Sequence, residues 1–438
     1  MASLLIRGGR VVSPEDGLDG AMDVLLEGVV VRQIAPRIEA RADEVLDAHG
    51  QIVAPGFIDL HCHLREPGLP AQAGLPSEAG GELSETLETG LRAAVAGGFT
   101  AVCAMPNTQP VNDCAEATAA MTAKARRLGL ARLFPIAAVT IGSQGEALTH
   151  SRALVAAGAI AFSDDGRPVR TAGLMHMALD RARALGVPII DHCEDLALSS
   201  GGVLDDGPVA RRLGVKGIPA KSEEVCLARD LELAEATGGH FHAAHLSTAG
   251  SIALMRDAKR RGVNATCEVM PHHFTLTDDA VLRYGTNAKM NPPLRSARDL
   301  AALLAGIADG TVDAIATDHA PHALTLKAKP LAEAPFGVTG FETALALALT
   351  QLVRPGIISL PRLVSLMSVN PARIIHQALG RLQVGSPADI TVFDPNLDWT
   401  FRASDSRSKS RNSPFDGWEF KGAVTATIVG GRVVYQRS

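Results

Sequence analysis

Residues 57–67 read Phe-Ile-Asp-Leu-His-Cys-His-Leu-Arg-Glu-Pro, an apolar run that ends in His61 and His63. In an extended strand, residues two apart point to the same face, so both imidazoles can converge on one point while Cys62 packs the other way. Two histidines at this spacing are common by chance. The neighbouring segments decide what the pair means. Seven further short apolar or β-branched runs follow at 99–105, 133–140, 159–163, 187–192, 240–246, 263–270 and 312–318. Between them lie stretches of helical length rich in Ala, Leu, Arg and Glu, such as 84–96, 113–128, 222–236 and 249–261. Eight strand–helix alternations predict a parallel sheet covered by helices, and eight is the number that closes a (β/α)8 barrel.

The two ends of the chain have another character. LLIRGGRVV, DVLLEGVVVRQIA and the segment ending in DAHGQIVAPG alternate around turn residues, and PADITVFDP and ATIVGGRVVYQ repeat that pattern near the C-terminus. Each piece is too small to bury a core alone. The fold class expected is therefore α/β: a (β/α)8 TIM barrel with a small β-sandwich formed from both chain ends. The sandwich takes residues 1–54 and 376–438, and the barrel 55–375.

Composition narrows the function. Of 438 residues 46% are hydrophobic but only 4% aromatic, so the core must rest on Ala, Val, Leu and Ile. With 42 basic against 47 acidic residues and no basic block, nothing calls for nucleic acid or an anionic membrane. No apolar run approaches the roughly 20 residues a spanning helix needs, and Arg7 and Arg10 interrupt the N-terminus before a signal-peptide core could form. Six cysteines without close pairs read as reduced thiols, which points to a cytoplasmic protein.

Ionisable residues recur at the ends of the predicted strands. Asp164 and Asp165 end the fourth, His192 the fifth, His245 the sixth and Asp318 the eighth. In such a barrel all C-terminal strand ends open on one face, where active sites lie. Histidines and carboxylates without thiolates suit Zn²⁺ first, and the surplus over four ligands suggests two ions bridged by a carboxylate and a hydroxide. Strand alternation sets His240 and His242 opposite to His245, which favours His245 as the ligand. His272 and His273 read as supporting residues, and one aspartate of the pair 164–165 as a turn cap.

The stretches DLHCHLREPG, MPNT, AFSDDG, HCED, HLST, MNPPLR, ATDHAPH and APFG run in order from residue 59 to 337. Through them the chain resembles the amidohydrolase superfamily, and closely the bacterial class I dihydroorotases, along essentially its whole length. The resemblance implies that His61 and His63 hold one metal and His192 and His245 a second. Asp165 bridges the two, and Asp318 is the catalytic aspartate near the first. It assigns the substrate to His63, Arg65, Asn107, Asn291 and His322, with backbone contacts at Phe336 and Gly337. The implied reaction is the reversible cyclisation of N-carbamoyl-L-aspartate to L-dihydroorotate in pyrimidine biosynthesis, with two Zn²⁺ per subunit bridged by Asp165 and hydroxide.

Hydantoinases and allantoinases bridge their metals with a carboxylated lysine on the fourth strand, where this chain has Asp165. A non-catalytic relative would have lost ligands that this chain keeps. The segment 68–85 is about a dozen residues longer than the family pattern and marks a candidate oligomer contact. A homodimer and a complex with aspartate carbamoyltransferase are left open. Residues 323–335 lack a strand or helix pattern and are expected to form a mobile lid.

Overall fold

The structure, a computed structural model, describes residues 2–67 and 81–437. Of the insertion at 68–85, residues 68–80 therefore lie outside the described residues. Eight short strands form the barrel: β1 Phe57–Cys62, β2 Phe99–Ala104, β3 Arg132–Ala137, β4 Ala161–Phe162, β5 Ile189–Asp191, β6 Phe241–Ala243, β7 Ala265–Val269 and β8 Ala314–Ile315. Each pairs in parallel with the next. The ring closes through a parallel bridge between Cys62 and His319, where the His63 amide donates to the His319 carbonyl at 2.9 Å. Buried Asp59 strengthens the seam by accepting from the Thr317 amide and hydroxyl, both at 2.8 Å.

Six longer helices pack outside: α1 Leu87–Ala96, α2 Ala115–Leu128, α3 Ala172–Leu185, α4 Ala220–Thr237, α5 Ala249–Arg261 and α6 Ala297–Ala308. Local sequence sets their limits. The Thr248 hydroxyl caps α5 by accepting from Ser251, and Gly262, left-handed at φ 80°, ends it. Small residues fill the barrel interior, including Ala101, Ala161, Ala244, Ala314 and Ala316, with Ile58, Leu60 and Ile136 around them. Between strands and helices the core is larger and holds Phe57, Phe99, Phe241 and Phe341. A chain with few aromatics thus spends several of them on this layer. None of the helices among the described residues is long and apolar enough to cross a membrane.

The chain ends combine into one eight-stranded mixed sheet. Its central strand, Ser3–Ser13, shifts register between Ile6 and Gly9. Its first half pairs with Glu44–Asp47 and its second with Ile52–Pro55. The C-terminal strand Ile390–Thr400 joins antiparallel to Ile52–Pro55, which unites the two ends. The layers of the expected sandwich are thus arms of one continuous sheet, and Ile6, Val24, Val53, Ile390 and Ile428 meet in a single apolar cluster. Thr391 and Thr427 tie the sheet to the barrel, donating to the carbonyls of Gly98 and Val95 at 2.6 Å. Residues 403–415 then leave the sheet and reach the barrel's mouth. There Asn412 donates to the Ala320 and Gly337 carbonyls, both at 3.0 Å, and accepts from the His322 amide.

Candidate metal centre and substrate site

At the C-terminal mouth of the barrel one carboxylate faces four imidazoles. Asp165 Oδ1 lies 3.4 Å from His61 Nε2, 3.6 Å from His245 Nε2 and 3.8 Å from His192 Nδ1, while Oδ2 lies 3.6 Å from His63 Nε2. Asp318 Oδ1 stands beside the first pair, 3.0 Å from His63 Nε2 and 3.7 Å from His61 Nε2. Two overlapping trios could each hold an ion: His61, His63 and Asp318, and His61, Asp165 and His245. His192 Nδ1 joins the second at 2.9 Å from His245 Nε2. The structure thus brings together all six residues the sequence marked as ligands. Asp164 turns away and accepts from the Thr140 amide at 3.1 Å, which fastens the loop after β3.

The ring nitrogens that face outward explain why the others face inward. His61 donates its Nδ1–H to Glu268 at 2.9 Å, His63 its Nδ1–H to Asn107 at 2.8 Å, and His192 its Nε2–H to Glu194 at 2.9 Å. A neutral imidazole has one donor and one acceptor nitrogen, so each partner leaves a lone pair directed at Asp165. His61 Nε2 and Asp165 Oδ1 are buried and meet no hydrogen-bond partner. Buried polar atoms are rarely left so, and imidazole and carboxylate donors without thiolate match Zn²⁺. The residues fit a divalent metal centre.

Charge within the site agrees. Burial opposes a proton on His61, yet Asp165 and Glu268 hold its pKa well above the usual histidine value. Burial likewise lowers His192, but Glu194 carries it up to about 9. Burial raises Asp165 and Asp318, and the surrounding imidazoles overcome it and leave both below the usual carboxylate range. The cluster favours positive charge at its centre, which a divalent cation provides in place of imidazole protons.

Beside the candidate metal centre lies a cation with no direct carboxylate partner among the described residues, though Asp318, Asp165 and Glu85 act on it from a distance. Arg65 is 5% exposed, and among the described residues no carboxylate pairs with it. Its Nε donates to the Pro321 carbonyl at 3.2 Å, and burial lowers its pKa to about 10. Arg65 Nη2 lies 3.4 Å from His322 Nε2, which itself donates to the Phe336 carbonyl at 2.7 Å. Burial, with the charges of Arg65 and Lys327, holds His322 well below the usual histidine value and therefore neutral. Gly337 adopts φ 128°, and a Cβ there would meet Ala320 Cβ at 2.7 Å. Asn291 lies across the mouth, its Nδ2 3.1 Å from Glu194.

Several residues here carry no role in the sequence reading. Glu268 sits within β7, buried, with Oε1 on His61 and Oε2 3.3 Å from His242 Nε2. An acidic residue inside an apolar strand was the available signal. Glu194 stands within the HCED motif itself. Asn412 has no such signal, because only the fold brings a C-terminal segment to the mouth. His272 and His273 pack in this region with rings 4.4 Å apart, and His273 Nε2 donates to the Pro292 carbonyl at 2.9 Å.

Comparison with known proteins bears on this arrangement. The Dihydro-orotase-like family model matches residues 50–251, and the Amidohydrolase family model residues 227–435. The dihydroorotase of Geobacter metallireducens is 49% identical over 436 residues, covering 99% of this chain and 100% of its own. That of Solibacter usitatus is 46% identical over 434 residues, covering 99% and 98%. Among solved structures, the L-hydantoinase (dihydropyrimidinase) from Arthrobacter aurescens matches with a TM-score of 0.87 at 26% identity, over 100% of this chain and 97% of its own. A D-hydantoinase from Thermus sp. matches at 0.80 and 27%, over 99% and 95%.

Proposed function

This chain belongs to the dihydroorotase family, and on that premise we propose that its barrel mouth interconverts L-dihydroorotate and N-carbamoyl-L-aspartate as a step of pyrimidine biosynthesis. The observation that carries this reading is Asp165, a fourth-strand carboxylate within 3.8 Å of four imidazole nitrogens, in a chain 49% identical to proteins named dihydroorotase. His61, His63, Asp165, His192, His245 and Asp318 would hold a pair of zinc ions. Zinc so held supplies an activated water at neutral pH and polarises the amide carbonyl.

The side chains then divide the remaining work. In ring opening, Asp318 takes the proton of the attacking water as the C–O bond forms. It delivers that proton to the ring nitrogen as the C–N bond breaks, so the ring N–H leaves as the neutral NH₂ of the carbamoyl group. In ring closure the same carboxylate removes a proton from the attacking nitrogen and returns it to the departing oxygen. Its depressed pKa keeps Asp318 ionised and ready to accept. Such acid–base help is worth roughly 10²–10⁴-fold.

Arg65 supplies the cation for the substrate's carboxylate, with its planar fork matched to two oxygens. The Asn107 carbonyl oxygen is engaged by His63, so the group it offers the substrate is its NH₂. Asn291 and His322 border the opposite sides, and the Phe336–Gly337 backbone faces the ring.

The test is ring opening of L-dihydroorotate by the metal-loaded protein, followed as loss of ultraviolet absorbance, with hydantoin and dihydrouracil in parallel. Chelator-sensitive turnover of dihydroorotate alone is the expected result. Preference for hydantoin would move the chain to the activity named for its structural neighbours.

A further inference from the structure

The segment expected from sequence to be a mobile lid is fastened by two buried lysines. Residues 323–335 carry a helical turn at Leu324–Lys327 before running to Phe336 and Gly337. Lys289, from KMNPPLR, is 2% exposed, and Lys327 is 4% exposed. Among the described residues neither ammonium meets a carboxylate. Each is surrounded by main-chain carbonyls instead. Lys289 Nζ donates to Ala334 O at 2.6 Å, Leu331 O at 2.7 Å and Ala332 O at 3.4 Å, and lies 4.4 Å from the centre of the Phe336 ring. Lys327 Nζ donates to Gly337 O at 2.9 Å, Pro335 O at 3.0 Å and Lys289 O at 3.3 Å. The two sets interlock, because Lys289 O also accepts from the Gly337 amide at 2.9 Å.

We propose that Lys289 and Lys327 are positioning residues for the ring-opening reaction, their ammonium groups fixing the 334–337 backbone in the shape that receives the substrate ring. The proposal rests on the reading that Phe336 and Gly337 face that ring. An ammonium has three donors and no acceptor, so three carbonyls saturate each one and fix three peptide planes relative to one another. Burying a lysine without a counter-ion is unfavourable unless its donors are all satisfied. Consistent with that, burial lowers Lys289 to about 8, and burial with the charge of Lys289 lowers Lys327 to about 7. Apolar side chains would fill the same volume without this penalty. What the lysines add is direction. In a planar trans peptide the carbonyl and the N–H point opposite ways. Holding Pro335 O on Lys327 therefore turns the Phe336 N–H away from the lysine. Phe336 O is independently taken by His322, so consecutive peptide planes are set.

Lys289→Met and Lys327→Met, made separately in the full-length metal-loaded enzyme, test this. Three quantities are measured on each: steady-state kinetics with L-dihydroorotate, metal content, and amide hydrogen exchange across 323–338. The expected result is a KM raised about tenfold or more with kcat within about threefold, as loss of binding geometry without loss of chemistry requires. Exchange in the segment accelerates and metal content stays that of the parent. Wild-type KM with wild-type exchange overturns the proposal by removing the fastening. Wild-type KM with accelerated exchange also overturns it, and places the failure in the reading that this backbone meets the ring. If a methionine variant fails to fold, Lys289→Arg and Lys327→Arg keep the charge but spread the donors into a plane. They are expected to raise KM above that of the parent, and a wild-type KM in both refutes the role.

Discussion

Glu268 is the residue whose removal most directly tests the proposed metal centre. Both carboxylate oxygens are buried, one accepting from His61 and the other facing His242. Burial raises the Glu268 pKa, but its bonds to His242 and His61 bring it down to about 2, so it is ionised at any working pH. Glu268→Gln can keep its amide oxygen on His61 Nδ1–H while its NH₂ faces His242, so the tautomer of His61 survives and only charge assistance is lost. A charged hydrogen bond exceeds a neutral one by roughly 1–1.5 kcal/mol, so metal affinity should fall about tenfold. Glu268→Ala leaves His61 Nδ1 and His242 Nε2 without a partner, while His242 Nδ1 keeps the Thr266 hydroxyl, and it frees His61 to take the wrong tautomer. Loss of an outer carboxylate costs up to about 100-fold in metal affinity, and the alanine variant belongs at that end. Zinc affinity measured by competition with a chromophoric chelator reads this directly, with thermal unfolding of the metal-free variants as a check on folding. A folded alanine variant that binds zinc within twofold of the parent would refute the reasoning.

Asp318→Asn should lower kcat in both reaction directions by about 10²–10⁴ while the protein stays folded, checked by steady-state assay and circular dichroism. Arg65→Met should raise KM for dihydroorotate about 10- to 100-fold, the worth of a charge-assisted bond to a buried carboxylate, with less effect on kcat. The pair His192–Glu194 predicts a pH profile for the metal-free protein. The raised His192 contributes stability that is fully present below its unfolded value near 6.5 and is lost as pH rises through about 9. Glu194, which burial raises but His192 brings down to about 2, contributes above about 4.5 and loses it as pH falls through 2. Thermal unfolding across pH should show both contributions intact only between about 4.5 and 6.5. Added zinc should move the optimum upward, because metal replaces the His192 proton.

Much of this was legible in the sequence because the barrel repeats one grammar. All eight strands lie where apolar runs sit between helical stretches, and α5 matches its expected span of 249–261. The strands are shorter than those runs, since their last residues leave the ladder to form the site. Parity arguments fail there for the same reason. His242 and His245 should point to opposite faces, yet His242 meets Glu268 inside the barrel and His245 meets Asp165 at its mouth. His245 has φ 32°, so the chain has already turned out of the strand when it reaches that residue. Fastenings supplied by Lys327 from within the segment, and by Lys289 and Asn412 from far along the chain, leave no periodic trace and appear only once the loops are placed.

Left-handed backbone recurs at residues proposed to do the chemistry. Arg65, His245 and Asp318 have φ of 56°, 32° and 44°, and none is glycine. Such conformations cost on the order of 1–3 kcal/mol each and persist only where surrounding structure fixes them. Here the fixing groups are visible. Asp318 follows the seam where Thr317 is bound twice to Asp59, and its neighbour His319 receives the His63 amide. Arg65 follows the same seam and is held by the Pro321 carbonyl. The strain turns each side chain inward from a strand end whose regular pleat would aim it elsewhere. Closing the barrel between its first and last strands therefore does two things at once: it completes the sheet, and it sets Asp318 and Arg65, the proposed acid–base residue and the proposed carboxylate-binding cation, on opposite sides of one hydrogen-bonded joint.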